Sequence, residues 1–406
     1  LSMATSRRRR SGSGGSGGPS RGRRHSGRRR SRRCSSSSSF ASDSVDQARC
    51  TLSTSVLSHI RLLLCSLSLA MRASSRVAVL LKRVVAEPLL VAAFIFLWMI
   101  MPIVSIWFPI FVLCTRFWWT MPAYALWMYI DWDTSKRGAR PLKFLRGLFL
   151  WRWFADYFPI RLIKTAELSP DRNYIVGSHP HGVLSIGAFT TFLSNGTGWD
   201  EKFPGVNPII LTLNGQFYFP FRREVGLLMG GAESSRESLE WLLANPGKGR
   251  AIGIVLGGLN ESLMARPNTH NLKLRDRRGF CRFALKNGAD LVPLYHFGEN
   301  DVYDQHVGAD EERLKNMQAR IRNAIGFCPP LPRGCSLLGL GHGGIMPFRR
   351  PITSVMGAPI QVDRVENPTD LQVELLHTKY CEALEALFEK HKHLHNIPKH
   401  THINFY

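Results

Sequence analysis

An almost uncharged apolar block at residues 88–130 constrains this chain more than any other feature. Arg116 is the only charged residue in the block. A membrane helix needs about 20 consecutive apolar residues, so the block is long enough for two short spans or a re-entrant hairpin. Pro102 and Pro109 lie near its middle and predict a break there. The alternative is a buried helix pair in a soluble protein.

Basic residues flank the apolar block on both sides. They are Arg72, Arg76, Lys82 and Arg83 before it, and Lys136, Arg137, Arg140, Lys143, Arg146 and Arg152 after it. Lys and Arg are enriched in cytosolic flanks of membrane segments. Both ends of the block are therefore expected on the cytosolic side, with an even number of crossings or a hairpin.

The first 50 residues hold thirteen arginines and two aspartates, a large part of the net charge of +23. A segment of Arg, Ser and Gly cannot bury enough apolar surface to offset its ordering entropy. Residues 1–55 are therefore predicted to be a disordered basic tail, followed by a basic amphipathic pre-membrane segment at 56–87. The tail composition is also typical of a transit peptide, a nucleic-acid-binding tail or an arm on an anionic membrane.

Strand and helix patterns alternate from residue 173 to about residue 300, which predicts an α/β sheet in one domain. We place that domain at 131–395, with a C-terminal tail at 396–406. Pro293 predicts that its strand is an edge strand or carries a bulge. The predicted strands include Pro208–Leu213, Arg250–Leu256 and Leu291–Gly298, and the predicted helices include Val183–Leu193, Ser234–Ala244, Phe280–Asn287 and Leu371–Lys390.

Two histidines, His179 and His181, flank Pro180 at the end of the apolar run that begins at Tyr174. Because a helical pattern follows, the stretch predicts a strand, a tight turn and a helix. Ligands of open α/β sheets usually bind at the carboxyl ends of strands, where these imidazoles would lie. The alternative is a pair of ordinary histidines in a turn.

No nucleophile motif accompanies the two histidines, because the one Gly-x-Ser-x-Gly match, at 14–18, falls in the Arg-rich tail. A histidine without a nucleophile suits general-base catalysis on a substrate hydroxyl when the acyl donor is already an activated thioester. Glu261, at the end of another predicted strand, is the best-placed acid to orient an imidazole. Its alternative role is that of an acid stabilised by a helix N-terminus.

Two other interpretations of the residues stay open. A metal-dependent hydrolase would use His179 and His181 as ligands, but the sequence offers no convincing third ligand, and we predict no metal site. A non-catalytic membrane tether would use its basic tail to bind nucleic acid or anionic lipid. We expect no nucleic-acid partner.

Four motifs in this order together resemble the diacylglycerol acyltransferase type 2 family, which also includes monoacylglycerol and wax-alcohol acyltransferases. The motifs are Ser178–Gly182, Gly257–Leu263, Arg278–Phe280 and Gly288–Asn300. The resemblance implies a glycerolipid-acyltransferase-like mixed sheet flanked by helices, behind an N-terminal transmembrane or re-entrant hairpin. It also implies an enzyme of the endoplasmic reticulum membrane and lipid droplets, with a cytosolic catalytic domain.

The implied reaction moves a fatty acyl group from acyl-CoA, as co-substrate, to the free hydroxyl of diacylglycerol, giving triacylglycerol without an acyl-enzyme. No cofactor is implied. The alternative acceptors are a monoacylglycerol and a long-chain alcohol. A homo-oligomer is compatible with the resemblance but is not implied by it.

The resemblance also implies site residues. We expect His181 as the general base, His179 as its partner or alternate, and Glu261 as the acid. Related glycerolipid acyltransferases carry an aspartate five positions after the histidine, but here those positions hold Leu184 and Ile186. The expected substrate-binding residues are Pro180, Gly182, Gly257, Gly258 and Asn260, with Arg223, Arg277 and Arg278 as cations for the CoA phosphates or, equally, as solvated surface residues.

Overall fold

The computed structural model describes residues 76–244, 247–305, 316–317, 320, 332–336 and 342–406. The predicted tail at 1–55 and the first part of the predicted segment at 56–87 lie outside the described residues.

The described chain begins with a long helix. It consists of α1 (Arg76–Leu81), α2 (Glu87–Ile95) and α3 (Met101–Leu113), joined by π-helical turns at Lys82–Ala86 and Phe96–Ile100. Its part Val79–Leu113 is long and apolar enough to cross a membrane. After a turn at 114–119 the chain continues as α4 (Thr120–Ile130).

The helix break predicted at Pro102 and Pro109 is wrong, since α3 runs through both residues. Pro102 lies in the first turn of α3, directly after a π-helical turn, where a missing N–H costs little. The chain leaves the helix only after Leu113.

One part of the long helix is buried in the domain and another part is exposed. Val91, Phe94 and Ile95 belong to the main apolar core. From Ile100 onward most large apolar side chains are exposed, and Trp107 is 66% exposed. An apolar surface of this extent on a helix is typical of contact with lipid.

The central sheet has seven strands in the order β1-β11-β7-β2-β5-β3-β4. In chain order they are β1 (Arg161–Lys164), β2 (Tyr174–His179), β3 (Asn207–Thr212), β4 (Gly231–Glu233), β5 (Arg250–Val255), β7 (Asp290–Phe297) and β11 (Thr353–Met356). Only the β11–β7 pairing is antiparallel. The prediction of a mixed α/β sheet is confirmed, and the structure adds that the sheet is mostly parallel.

Two small sheets accompany the central one. The first consists of β8 (Asp304–Gln305), β9 (Pro332–Cys335) and β10 (His342–Gly344), with β9 in the middle. The second consists of β6 (Asn271–Leu272) and β12 (Asn404–Phe405). β12 lies in the segment that we predicted as a C-terminal tail, and it runs parallel to β6.

Helices cover both faces of the central sheet. They are α5 (Lys143–Arg146), α6 (Leu150–Tyr157), α7 (Ile186–Phe192), α8 (Trp199–Lys202), α9 (Arg222–Met229), α10 (Arg236–Ala244), α11 (Gly258–Met264), α12 (Gly279–Asn287) and α13 (Asp370–His391). Short 3-10 helices lie at Trp132–Ser135, Asn214–Phe217, Glu299–Val302 and Lys392–His395.

β2 lies in the middle of the sheet, hydrogen-bonded to β7 on one side and β5 on the other. Every residue of β2 is buried, as expected for a parallel strand that is covered on both faces. Tyr174 and Val176 belong to one apolar core and Ile175 to the other, following the two-residue period of a strand. The strand therefore delivers its last residue, His179, to the carboxyl edge of the sheet in a rigid setting.

Candidate active site

The turn after β2 is shaped by left-handed backbone conformations. Gly182 has a φ of 61° and Ser185 has a φ of 52°. A Cβ on Gly182 would lie 2.6 Å from Cγ of Glu299, so both the conformation and the space require glycine there. Because the turn continues through Ser185, α7 begins at Ile186, three residues later than the hydrophobic pattern predicts.

The imidazole of His181 is half-buried and held through its Nδ1 atom. Nδ1 lies 2.9 Å from the carbonyl oxygen of Gly182 and 3.2 Å from Oγ of Ser185. A carbonyl oxygen only accepts, so this contact favours the tautomer that carries its proton on Nδ1. Nε2 is then the unprotonated nitrogen, and it has no hydrogen-bond partner among the described residues.

Burial keeps His181 neutral. It lowers the pKa of the imidazole below the ordinary value of 6.5, although the bond to the Gly182 carbonyl acts in the opposite direction. A neutral imidazole with a free Nε2 can accept a proton near neutral pH.

Glu261 is buried on α11 and contacts the same turn through the backbone. Oε1 accepts a hydrogen bond from the backbone N–H of His181 at 2.5 Å, and Oε2 accepts one from the N–H of Lys273 at 3.0 Å. Burial raises the pKa of Glu261 and the two N–H donors lower it. The expected hydrogen bond from an imidazole N–H to this carboxylate is therefore not found among the described residues, because Nδ1 of His181 is bound to the carbonyl of Gly182.

Gly257 gives Glu261 the space for these contacts. A Cβ on Gly257 would lie 2.0 Å from Oε2 of Glu261. Gly258 has a φ of 59° with no atom within 4 Å of where its Cβ would be, so its backbone conformation rather than crowding favours glycine. Asn260 is half-buried on α11, and Pro180 is buried in the turn.

His179 lies deeper than His181. Its ring is fully buried, with Nε2 3.0 Å from the hydroxyl oxygen of Tyr380. That hydroxyl also donates to the carbonyl oxygen of Gly177 at 3.2 Å. Nδ1 of His179 has no partner in the described part of the chain. Burial lowers the pKa of His179 to about 3, which keeps the ring neutral.

A third histidine supports the site and was missed by the sequence analysis. His296 of β7 lies 2.8 Å through Nε2 from Oγ of Ser178 and 2.7 Å through Nδ1 from Oγ of Ser354. All three side chains are buried. They tie β2 through β7 to β11 directly behind the turn, and burial lowers the pKa of His296 to about 3.

A second carboxylate that the sequence analysis missed is Glu299. Its two carboxylate oxygens accept from the N–H groups of Ile186 and Gly187, each at 2.7 Å. Burial raises the pKa of Glu299 to about 7, against these two bonds. The sequence does carry a signal for this acid, because Glu299 lies within the Gly288–Asn300 motif.

Glu261 and Glu299 therefore hold the turn at its two ends. Glu261 binds the backbone at His181, and Glu299 binds the backbone where α7 begins. The backbone of His181 is thus itself one of the two fixed points.

The three predicted phosphate-binding arginines lie in different settings. Arg223 is 1% exposed and its Nη1 is 2.8 Å from Asp131 and 2.8 Å from Glu224, so its charge is already neutralised by two carboxylates that a phosphate would have to displace. This corrects the expectation for Arg223. Arg277 and Arg278 are exposed just before α12, and Arg278 lies 3.5 Å from Glu374.

The described residues contain no group of three or more His, Cys, Asp and Glu side chains arranged to hold a metal ion. The interpretation of His179 and His181 as metal ligands thus gains no third ligand from them.

Comparisons with known proteins agree on one family. The family model described as "Diacylglycerol acyltransferase" matches residues 110–406. Diacylglycerol O-acyltransferase 2 of Homo sapiens is 42% identical over 289 residues, which cover 71% of this chain and 74% of that protein. The 2-acylglycerol O-acyltransferase 3 of Homo sapiens is 40% identical over 294 residues, covering 72% and 86%.

Among solved structures, the chain matches the crystal structure of the 1-acyl-sn-glycerophosphate (LPA) acyltransferase, PlsC, from Thermotoga maritima. The match has 14% identity and a TM-score of 0.34, and covers 75% of this chain and 99% of that chain. A similarity of that degree carries no argument about the site.

Proposed function

Since the chain belongs to the diacylglycerol acyltransferase family and is an acyltransferase, we propose that it transfers a fatty acyl group from acyl-CoA to the free hydroxyl of diacylglycerol. The products are triacylglycerol and free CoA. The observation that supports this reaction best is the state of His181, whose Nδ1 is bound to a carbonyl and whose Nε2 is unpartnered among the described residues.

In the proposed mechanism, Nε2 of His181 accepts the proton of the acceptor hydroxyl as its oxygen attacks the thioester carbonyl. The carbonyl of Gly182 accepts from Nδ1–H and stabilises the imidazolium that forms. The tetrahedral intermediate then collapses, the carbon–sulfur bond breaks, and the imidazolium returns the proton to the leaving thiolate. A general base of this kind contributes about 10²- to 10⁴-fold to the rate.

Glu261 and Glu299 act as positioning residues in this mechanism. Each accepts from the backbone of the turn, and neither forms a hydrogen bond with an imidazole in the part of the chain that the structure describes. They fix where the imidazole of His181 lies relative to the sheet. Arg277 and Arg278 are proposed as cations for the CoA phosphates, because both are exposed and Arg277 lies four residues after the Lys273 N–H that binds Glu261.

We further propose that the enzyme works at the endoplasmic reticulum membrane and at lipid droplets, with its catalytic domain in the cytosol. The support is the candidate membrane helix Val79–Leu113 and the exposed apolar side chains of α3 and α4. Both substrates carry long acyl chains, so an enzyme with a membrane-facing apolar surface suits them. A transmembrane hairpin at 88–130 remains part of this proposal.

The acceptor is the point to test. Membranes from cells that express the chain receive labelled oleoyl-CoA with diacylglycerol, 2-monoacylglycerol or a long-chain alcohol in turn. We expect triacylglycerol from diacylglycerol as the main product. Faster labelling of monoacylglycerol would favour the second candidate, which the similarity to 2-acylglycerol O-acyltransferase 3 supports. No acyl transfer to any acceptor would contradict the proposed function.

A further inference from the structure

Arg222, at the start of α9, is a buried cation with unused hydrogen-bond donors. It is 4% exposed. Its Nη1 donates to the backbone carbonyl of Gln216 at 3.0 Å, and its guanidinium carbon lies 4.3 Å from the ring centroid of Trp98. Its Nε and Nη2 are buried without a partner in the described part of the chain.

An unpaired buried charge destabilises the folded state, and a buried arginine is usually paired with a carboxylate, as the next residue is. Arg223 is equally buried and is paired with Asp131 and Glu224. Arg222 forms no ion pair with any described carboxylate. Burial lowers the pKa of Arg222 to about 10, so the side chain still carries its charge at neutral pH. A buried charge of this kind is normally balanced by a partner of opposite charge.

The two unpartnered donors of Arg222 lie on the same edge of the guanidinium. Nε–H and one Nη2–H point in the same direction, and their spacing matches two oxygens of a carboxylate or a phosphate. Arg172 of this chain uses the same edge, with Nε 3.0 Å from Oδ2 of Asp290 and Nη2 bound to Oδ1. In Arg222 the Gln216 carbonyl and the Trp98 ring fix the guanidinium while that edge stays unused.

The position of Trp98 indicates what kind of ligand reaches this edge. Trp98 lies in the π-helical turn between Ile95, which is buried in the domain, and Ile100, after which most large apolar side chains are exposed. Exposed apolar side chains also precede the buried part, among them Val79 and Leu89. If the part from Ile100 onward is embedded in lipid while Val91 and Ile95 stay packed in the domain, Arg222 lies at the membrane boundary. The boundary is where an amphiphile places its phosphate while its acyl chain stays in the apolar phase.

We propose that Arg222 and Trp98 form a binding site for the phosphate of a phosphate-bearing amphiphile at the membrane boundary. The phosphate can come from either of two molecules. One is acyl-CoA, and that identification rests on the proposed function; the other is a membrane phospholipid, and that identification does not. In either case two phosphate oxygens accept from Nε–H and Nη2–H of Arg222. The ring of Trp98 covers one face of the guanidinium.

The test is equilibrium binding to the full chain, purified in a non-ionic detergent that carries no phosphate. The two probes are radiolabelled oleoyl-CoA and radiolabelled phosphatidate, each measured with wild type, Arg222→Gln and Arg222→Lys. The matched control is Arg236→Gln, which removes an exposed arginine at the start of the neighbouring helix α10. Because binding is measured directly, a failure of the proposed acyl transfer would not affect the result.

We expect Arg222→Gln to weaken one probe roughly ten- to hundredfold, the typical loss for a charge-assisted hydrogen bond, while Arg236→Gln leaves both unchanged. Arg222→Lys keeps the charge but lacks the two parallel donors, so its affinity for that probe should lie between those of wild type and Arg222→Gln. Loss for oleoyl-CoA identifies acyl-CoA as the source, and loss for phosphatidate identifies the phospholipid.

Unchanged binding of both probes by Arg222→Gln would overturn the proposal, and wild-type binding by Arg222→Lys would overturn its paired geometry. The melting temperature separates binding from folding. Since removing an unpaired buried charge does not remove an ion pair, Arg222→Gln should melt no lower than wild type without ligand. If Arg222→Gln melts lower, the binding of both probes is compared between Arg222→Lys and wild type instead. Undiminished binding by Arg222→Lys is then evidence against the site.

Discussion

The carboxylate of Glu261 binds the backbone N–H of His181 and not its imidazole. The acid next to the histidine therefore holds the main chain of the turn, whereas the carbonyl of Gly182 sets the tautomer of the ring. The arrangement differs from a triad, in which a carboxylate contacts the imidazole itself.

Glu261→Gln should lower kcat without moving the acid limb of the pH profile. The amide oxygen can still accept from one N–H, but its NH₂ group faces the other donor, so the turn loses one anchor. We expect a loss of roughly ten- to hundredfold in kcat, in line with losing a charge-assisted hydrogen bond. The measurement is kcat/KM against pH in membranes. A shift of the apparent pKa would instead mean that the carboxylate acts on the imidazole.

Tyr380→Phe should reduce stability more than catalysis. The substitution removes the hydroxyl that bonds His179 and the Gly177 carbonyl, leaving buried groups unsatisfied at a cost of about 1–3 kcal/mol. We expect a lower melting temperature and nearly unchanged kcat per folded molecule. A loss of kcat with an unchanged melting temperature would show that His179 takes part in the chemistry.

The pH dependence of activity should follow the neutral form of His181. Since burial lowers its pKa below 6.5, the base stays unprotonated to lower pH than a free imidazole. We therefore expect kcat/KM to be level near neutral pH and to fall only below pH 6.5. A fall that begins well above this value would contradict a neutral base with a lowered pKa.

Glu299 should make the wild type lose stability as pH rises. Its pKa is raised from 4.5 to about 7, so the folded state binds more protons than the unfolded state between these values. Its contribution is present below pH 4.5 and is lost as pH approaches 7, by up to about 3 kcal/mol. The comparison of wild type with Glu299→Gln cancels the contributions of the other titrating groups. As pH rises, the melting temperature of the wild type should fall relative to that of Glu299→Gln. A constant difference in melting temperature would contradict this.

Gly257→Ala should disrupt the site, because its Cβ would lie 2.0 Å from Oε2 of Glu261. The matched control is Gly226→Ala in α9, where a Cβ would make only an ordinary contact with Phe217 at 3.6 Å. We expect Gly257→Ala to lose most of its activity and Gly226→Ala to lose none, since alanine favours a helix interior. Equal activity of both variants would show that Glu261 can move without consequence.

The sequence predicted the strand that carries the site, because local hydrophobic patterns record burial. Of the two alternatives for the strand of Pro293, the edge position is wrong, because the strand lies inside the sheet between β11 and β2, whereas an irregular pairing is found. The β11 ladder reaches only from Leu294 to Phe297, and the next bridge on that side joins Leu291 to Ile360. Pro293, which lacks an N–H, lies between these two pairings. Its position depends on tertiary packing and is not visible in the local sequence pattern.

The contacts of the acids and arginines could not be predicted from the sequence. Which donors Glu261 and Glu299 reach depends on how distant segments meet. Arg222 and Arg223 are adjacent in sequence, yet one is paired with two carboxylates and the other with none that the structure describes. Arg223 meets Asp131 at the end of α4, whereas Arg222 meets Trp98 of the long helix, and this difference depends on tertiary packing.

The measurement that tests the central claim most directly is triacylglycerol synthesis by His181→Ala in membranes, from diacylglycerol and labelled oleoyl-CoA. Protein amount and melting temperature are matched to wild type. Removing the base should lower kcat by about 10²- to 10⁴-fold with a folded protein. A folded His181→Ala enzyme whose kcat stays close to that of wild type would contradict the assignment of His181 as the general base.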